Sequence, residues 1–76
     1  MSERLPRVSA SDVARALDKL GFRLARQSGS HRILKNAEGR RVTLPCHEGR
    51  ILHPKVLKSI LAEANIDAEQ LRDLLR

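Results

Sequence analysis

Residues 21–45, "GFRLARQSGSHRILKNAEGRRVTLP", decide how this chain folds. The alternation Phe22-Arg23-Leu24-Ala25-Arg26 predicts a half-buried strand over 22–28, with Phe22 and Leu24 inward. Ser28-Gly29-Ser30 is a turn, and His31 to Asn36 is a second strand. Asn36-Ala37-Glu38-Gly39 turns the chain again. A third strand then runs from Arg40 to Pro45, with Val42 and Leu44 on one face and Arg41 and Thr43 on the other. Connections this short join antiparallel neighbours, so the three strands form a meander. The second strand does not fix its own facing, because Ile33 and Leu34 are both apolar. The expectation is His31 toward solvent and Leu34 inward.

Helical signals flank the strands on both sides. Ser9-Ala10-Ser11-Asp12 reads as a capping box, and Val13, Ala16, Leu17 and Leu20 follow at helical spacing. Gly21 stops this helix in the left-handed cap position. Downstream, Pro54 suits the first position of a helix whose apolar stripe is Leu57, Ile60, Leu61 and Ala64, ending at Asn65. Asp67-Ala68-Glu69-Gln70 caps a last short helix that buries Leu71, Leu74 and Leu75. Met1 to Arg7 reads as a loose arm, and Cys46 to His53 as a polar loop. The expected architecture is α+β, in the order α-β-β-β-α-α. Its helices lie on one face of the sheet, and its other face is open to collect the outward basic residues.

The chain has 76 residues, which points to one domain over 1–76. A domain of this size buries only about 60% of its unfolded surface, so it has no room for a large internal cofactor cavity. The net charge is +6, which points to a polyanionic partner such as nucleic acid, an acidic protein or a membrane surface. That charge is local: Lys19 to Arg41 holds seven Lys or Arg against one acid, Glu38. A single cysteine, Cys46, cannot make an internal disulfide and fits a reducing compartment. No run approaches about 18 consecutive apolar residues, and the first residues given hold no apolar run of the kind a signal peptide needs. The expectation is a cytoplasmic protein that does not enter a membrane.

His31 is the residue best placed for chemistry. One reading is a surface histidine at a strand end. The other is a general acid or base, since imidazole exchanges protons near neutrality. Cleavage of RNA by its own 2′-hydroxyl needs a base for that proton and an acid for the leaving 5′-oxygen. Gly29 permits close backbone approach, and Ser30 adds a hydroxyl beside backbone N–H groups that can hold an anion. Arg32 and Lys35 can neutralise charge at phosphorus, and Arg23, Arg26, Arg40 and Arg41 read as phosphate contacts. The alternative is a solvated face that keeps the protein soluble. Cys46, His47 and His53 have poor spacing for zinc, so no metal or other cofactor is expected, although His47 can face RNA from just past the third strand. Phe22 is the one aromatic residue and is buried by the alternation, so recognition goes through phosphates, 2′-hydroxyls and shape rather than base stacking.

Together, Gly29-Ser30-His31, the basic hairpin, Val42-Thr43-Leu44-Pro45-x-His47, Gly49-Arg50 and the helix Leu57-Lys58-Ser59-Ile60-Leu61-Ala62-Glu63-Ala64-Asn65-Ile66 resemble the HicA (YcfA-like) messenger-RNA interferase toxins. The resemblance runs from about Ser9 to Leu75 and includes Leu20-Gly21-Phe22. It implies a fold like the double-stranded-RNA-binding domain and a metal-independent endoribonuclease that cuts messenger RNA. It also implies a HicB-type antitoxin that covers the site. The family's catalytic histidine falls on His31, with Gly29 and Ser30 shaping the site. The chain departs from the pattern at Pro54-Lys55-Val56-Leu57, where members often have Gly-Thr-Leu. Cys46 stands where a basic residue is common, and Asn65 where glycine is frequent.

Two other readings of the same residues stand beside the toxin. One is a non-catalytic RNA-binding module, which binds in a salt-dependent way and never cleaves. The other is an adaptor whose basic face docks only an acidic protein. The oligomeric state is not legible in the sequence.

Overall fold

The computed structural model describes residues 5–46 and 49–76. The elements run α1 (Ala10–Lys19), β1 (Arg23–Ser28), β2 (His31–Lys35), β3 (Arg41–Pro45), α2 (Pro54–Ala64) and α3 (Ala68–Leu74). The strands form one antiparallel sheet in the order β1-β2-β3. This is the expected α+β order.

Local chemistry sets the helix boundaries. Ser9 and Asp12 form the capping box: the Asp12 N–H donates to Ser9 Oγ, and the Ser9 N–H donates to Asp12 Oδ2. Gly21 takes φ 93°, and the Phe22 N–H reaches back to the Leu17 carbonyl, closing the helix in a Schellman arrangement. α2 ends the same way around Asn65, which is left-handed at φ 60° and ψ 43°. There the Ile66 N–H bonds to the Leu61 carbonyl. Asp67 and Gln70 form a second capping box at α3. His53 caps α2, its Nδ1 accepting from the Lys55 N–H at 3.1 Å. Reading 46–53 as a polar loop does not anticipate that role.

The core comes from α1 (Val13, Ala16, Leu17), β2 and β3 (Leu34, Val42, Leu44), α2 (Leu57, Ile60, Leu61, Ala64), α3 (Ala68, Leu71) and Phe22. Among the described residues no polar or charged side chain is buried. Each large aliphatic side chain removed from water contributes about 1.5–3 kcal/mol, and here that burial is the main opponent of chain entropy.

Two apolar residues expected inside lie outside. Leu24 is 55% exposed and Leu20 is 39% exposed. The helices meet the sheet mainly at β3, so β1 overhangs and all six of its residues are exposed. Leu20 follows the last residue of α1, as its C-cap, and turns off the buried stripe. At the N-terminus, Leu5 packs against the core and the Leu52 N–H donates to the Val8 carbonyl at 2.8 Å. The arm read as loose over residues 1–7 is therefore anchored from residue 5 onward. Among the described residues no helix is long and apolar enough to cross a membrane.

The two edges of the sheet differ. At the β3 edge, the Thr43 N–H donates to Glu63 Oε1 at 3.1 Å, and Arg40 Nη1 donates to the Glu63 carbonyl at 3.1 Å. α2 is thereby clamped along β3 and covers edge groups that otherwise recruit another strand. β1 forms the opposite edge.

Candidate functional site

The hairpin between β1 and β2 has two loop residues, Gly29 and Ser30, and Ser28 pairs with His31 across it. Gly29 has φ 58°, as the first position of a tight hairpin turn of this kind demands. Beyond Gly29 itself and its two chain neighbours, no atom lies within 4 Å of where its Cβ would be, so glycine is needed here for its backbone angle rather than for space. The Cys46 N–H donates to the Ser30 carbonyl at 2.6 Å, which continues the β2–β3 ladder one step past Pro45 and holds the turn from its far side. His31 therefore starts a strand that is fixed on both flanks.

The register determines which side chains share a face, because directly opposed residues on paired strands lie on the same side. Leu34 pairs with Val42, and Arg32 with Leu44, which defines the helix-facing side. His31 pairs with Pro45, Ile33 with Thr43, and Lys35 with Arg41, which defines the open side. His31 is exposed and Leu34 is 6% exposed, so the ambiguity of Ile33-Leu34 resolves as expected.

A bulge completes the open face. On β1, Leu24 pairs with Leu34, but Arg26 pairs with Ile33, so one residue is skipped. Strict alternation would send Arg23 and Arg26 to opposite sides. The extra residue shifts the phase and places both on the open side with His31, Lys35 and Arg41. At about 3.3 Å per residue, the row from His31 to Lys35 spans about 13 Å.

These cations are not equally free. Arg23 Nη1 donates to Asp18 Oδ1 at 2.9 Å and to the Asp18 carbonyl at 3.1 Å, which ties it to the end of α1. The ion pairs Arg15–Asp12, Arg23–Asp18 and Arg76–Asp73 do not involve Arg26, Arg32, Lys35 or Arg41, which have no acidic partner among the described residues. Arg40 is engaged at Glu63 and does not join the face.

Arg32 does not join His31. It is the next residue along the strand and projects to the opposite side, into a cleft with Gly29, Ser30, Gln27 and the start of α1 at Ser9. The sequence expectation pairs Arg32 with Lys35 in charge neutralisation, and strand alternation separates them. His47 lies outside the described residues. Cys46 is half-buried, with Sγ 3.7 Å from the Leu44 carbonyl.

His31 also borders a groove of about 360 Å³ between the open face and α2, lined by Thr43, Pro45, Lys55, Ser59 and Glu63. Lys55, Ser59 and Glu63 recur every fourth residue and form one polar stripe of the helix beside its apolar one. That spacing is visible in the sequence, but which side of the sheet it meets is not.

No curated protein matches the chain. A family model described as the HicA toxin of bacterial toxin-antitoxin matches residues 10–66, three quarters of the chain.

Proposed function

The chain belongs to the HicA toxin family of bacterial toxin–antitoxin systems, and from that membership we propose that it is an endoribonuclease that cleaves messenger RNA across its open sheet face. The observation that carries this reading is one arrangement. His31 is an exposed imidazole at the start of a strand hydrogen-bonded on both sides, on the same face as Arg26, Lys35 and Arg41, which have no acidic partner among the described residues. The cations hold the phosphodiester backbone. His31 takes the proton from a 2′-hydroxyl, the O2′–P bond forms, and the P–O5′ bond breaks. The 5′-oxygen collects a proton from water, and the imidazolium returns its own to solvent. The products are a 2′,3′-cyclic phosphate and a 5′-hydroxyl. No step in this scheme uses a metal ion.

Arg32, on the other side, is reached only by an RNA strand that passes over the hairpin tip at Gly29-Ser30. A toxin of this class has an antitoxin partner. A HicB-type antitoxin that covers the open face would silence the enzyme by excluding RNA. The test is incubation of purified protein with messenger RNA in EDTA, followed by end-group analysis. Fragments ending in cyclic phosphate support the proposal. Binding without any cleavage favours the RNA-binding module instead.

A further inference from the structure

We propose that Lys55 and Ser59 of α2 form the second wall of the reaction site, with Lys55 stabilising the negative charge that develops on the phosphate oxygens and Ser59 hydrogen-bonding to the same group. The inference rests on the nuclease reading above and extends it from the hairpin to a helix that reading does not use.

The placement follows from the clamp between Glu63 and Thr43. From Thr43 to Pro45, β3 advances about 6.6 Å, and from Glu63 back to Ser59, α2 advances about 6 Å. His31 is paired with Pro45, so it stands level with Ser59, and Lys55 lies one turn further on. All of these residues line the same groove. Among the described residues the side chains of Lys55 and Ser59 make no hydrogen bond or ion pair, so both are available to a ligand. The first turn of α2 contains no acid to neutralise Lys55. Glu63, the one acid among the described residues that line the groove, is held at its far end by the Thr43 N–H.

The chemistry supplies the reason. As the 2′-oxygen attacks, charge grows on the non-bridging oxygens of phosphorus. A fixed cation aimed at that point stabilises the transition state more than the ground state. The open-face cations Arg26, Lys35 and Arg41 sit along the track of the strand and hold it equally in both states. A lysine across a groove from the base is placed to act on the reacting phosphate itself.

The experiment compares wild type, Lys55→Gln, Lys55→Arg, Ser59→Ala and Lys58→Gln. Cleavage is measured at saturating RNA, and binding is measured with an RNA carrying a 2′-deoxy residue at the cut site. Lys55→Gln is expected to lower the cleavage rate about 100-fold while weakening binding less than about 5-fold. Lys55→Arg is expected to recover most of the rate, and Ser59→Ala to cost about 10-fold. Lys58, outside the groove, serves as the control and is expected to change nothing. If wild type cleaves and Lys55→Gln cleaves equally fast, the second wall is wrong and the nuclease reading stands. If wild type does not cleave at all, the nuclease reading falls and the wall falls with it. Equal losses in rate and binding for Lys55→Gln would make it an ordinary phosphate contact and overturn the role assigned here.

Discussion

Replacing Arg41 by Gln should reduce the salt dependence of RNA binding by a calculable amount, and replacing Arg23 should not. Each phosphate neutralised on a single strand contributes about −0.7 to the slope of log affinity against log salt. Among the described residues Arg26, Lys35 and Arg41 lack acidic partners, and they share the open face. Three contacts give a slope of about −2.1, an affinity loss of about 20-fold between 50 and 200 mM salt. Arg41→Gln leaves two, for a slope of about −1.4 and a loss of about 7-fold over the same range. Arg23 is already held by Asp18, and removing it should move the slope by much less than one contact. The assay is fluorescence anisotropy with a short RNA carrying a 2′-deoxy residue at the cut site, titrated at four salt concentrations. An unchanged slope for Arg41→Gln, or a drop for Arg23→Gln as large as for Arg41→Gln, would refute the assignment of this face.

Two predictions concern the scaffold. Asn65 holds a left-handed conformation that alanine adopts at a cost. Asn65→Ala should therefore lose about 1 kcal/mol, a fall of about 4–8 °C in Tm, whereas Asn65→Gly should stay close to wild type. Asp12 has its pKa lowered by the hydrogen bond from the Ser9 backbone, with Arg15 adding to the effect. A carboxylate depressed in the folded state contributes stability that is fully present above the ordinary aspartate value of about 4 and is lost as pH falls through the folded value. Denaturant titrations should show wild type weakening over that acid range, and Asp12→Asn should flatten the fall.

The parts of the fold that depend on local chemistry are legible in the residues: the Ser9 and Asp67 caps, the Gly21 stop, the hairpin at Gly29-Ser30 and the stripes of α1 and α2. The facing of β2 is legible only through its neighbour, because Val42 and Leu44 identify the inner side that Ile33-Leu34 leaves ambiguous. Leu24 misleads. Alternation reports which residues share a face, not whether a helix covers that face, and β1 overhangs the helices. The bulge at Leu24–Arg26 leaves no mark in residue type, yet it brings Arg23 and Arg26 onto one side. Arg32 shows the converse error, since adjacency to His31 in a strand means opposite directions. Lys55 and Ser59 join His31 through the packing of α2 on β3 and the clamp between residues 20 positions apart, Thr43 and Glu63. Spacing along the chain carries no signal for such a contact.

The most direct test of the account is a single-turnover cleavage measurement on wild type and His31→Ala in EDTA, with the affinity of each protein for an uncleavable RNA measured alongside. An exposed imidazole on a cationic face predicts that His31→Ala binds RNA within about 3-fold of wild type and loses at least about 100-fold in cleavage rate. Cleavage that persists at the wild-type rate without the imidazole would contradict the claim that His31 moves the proton.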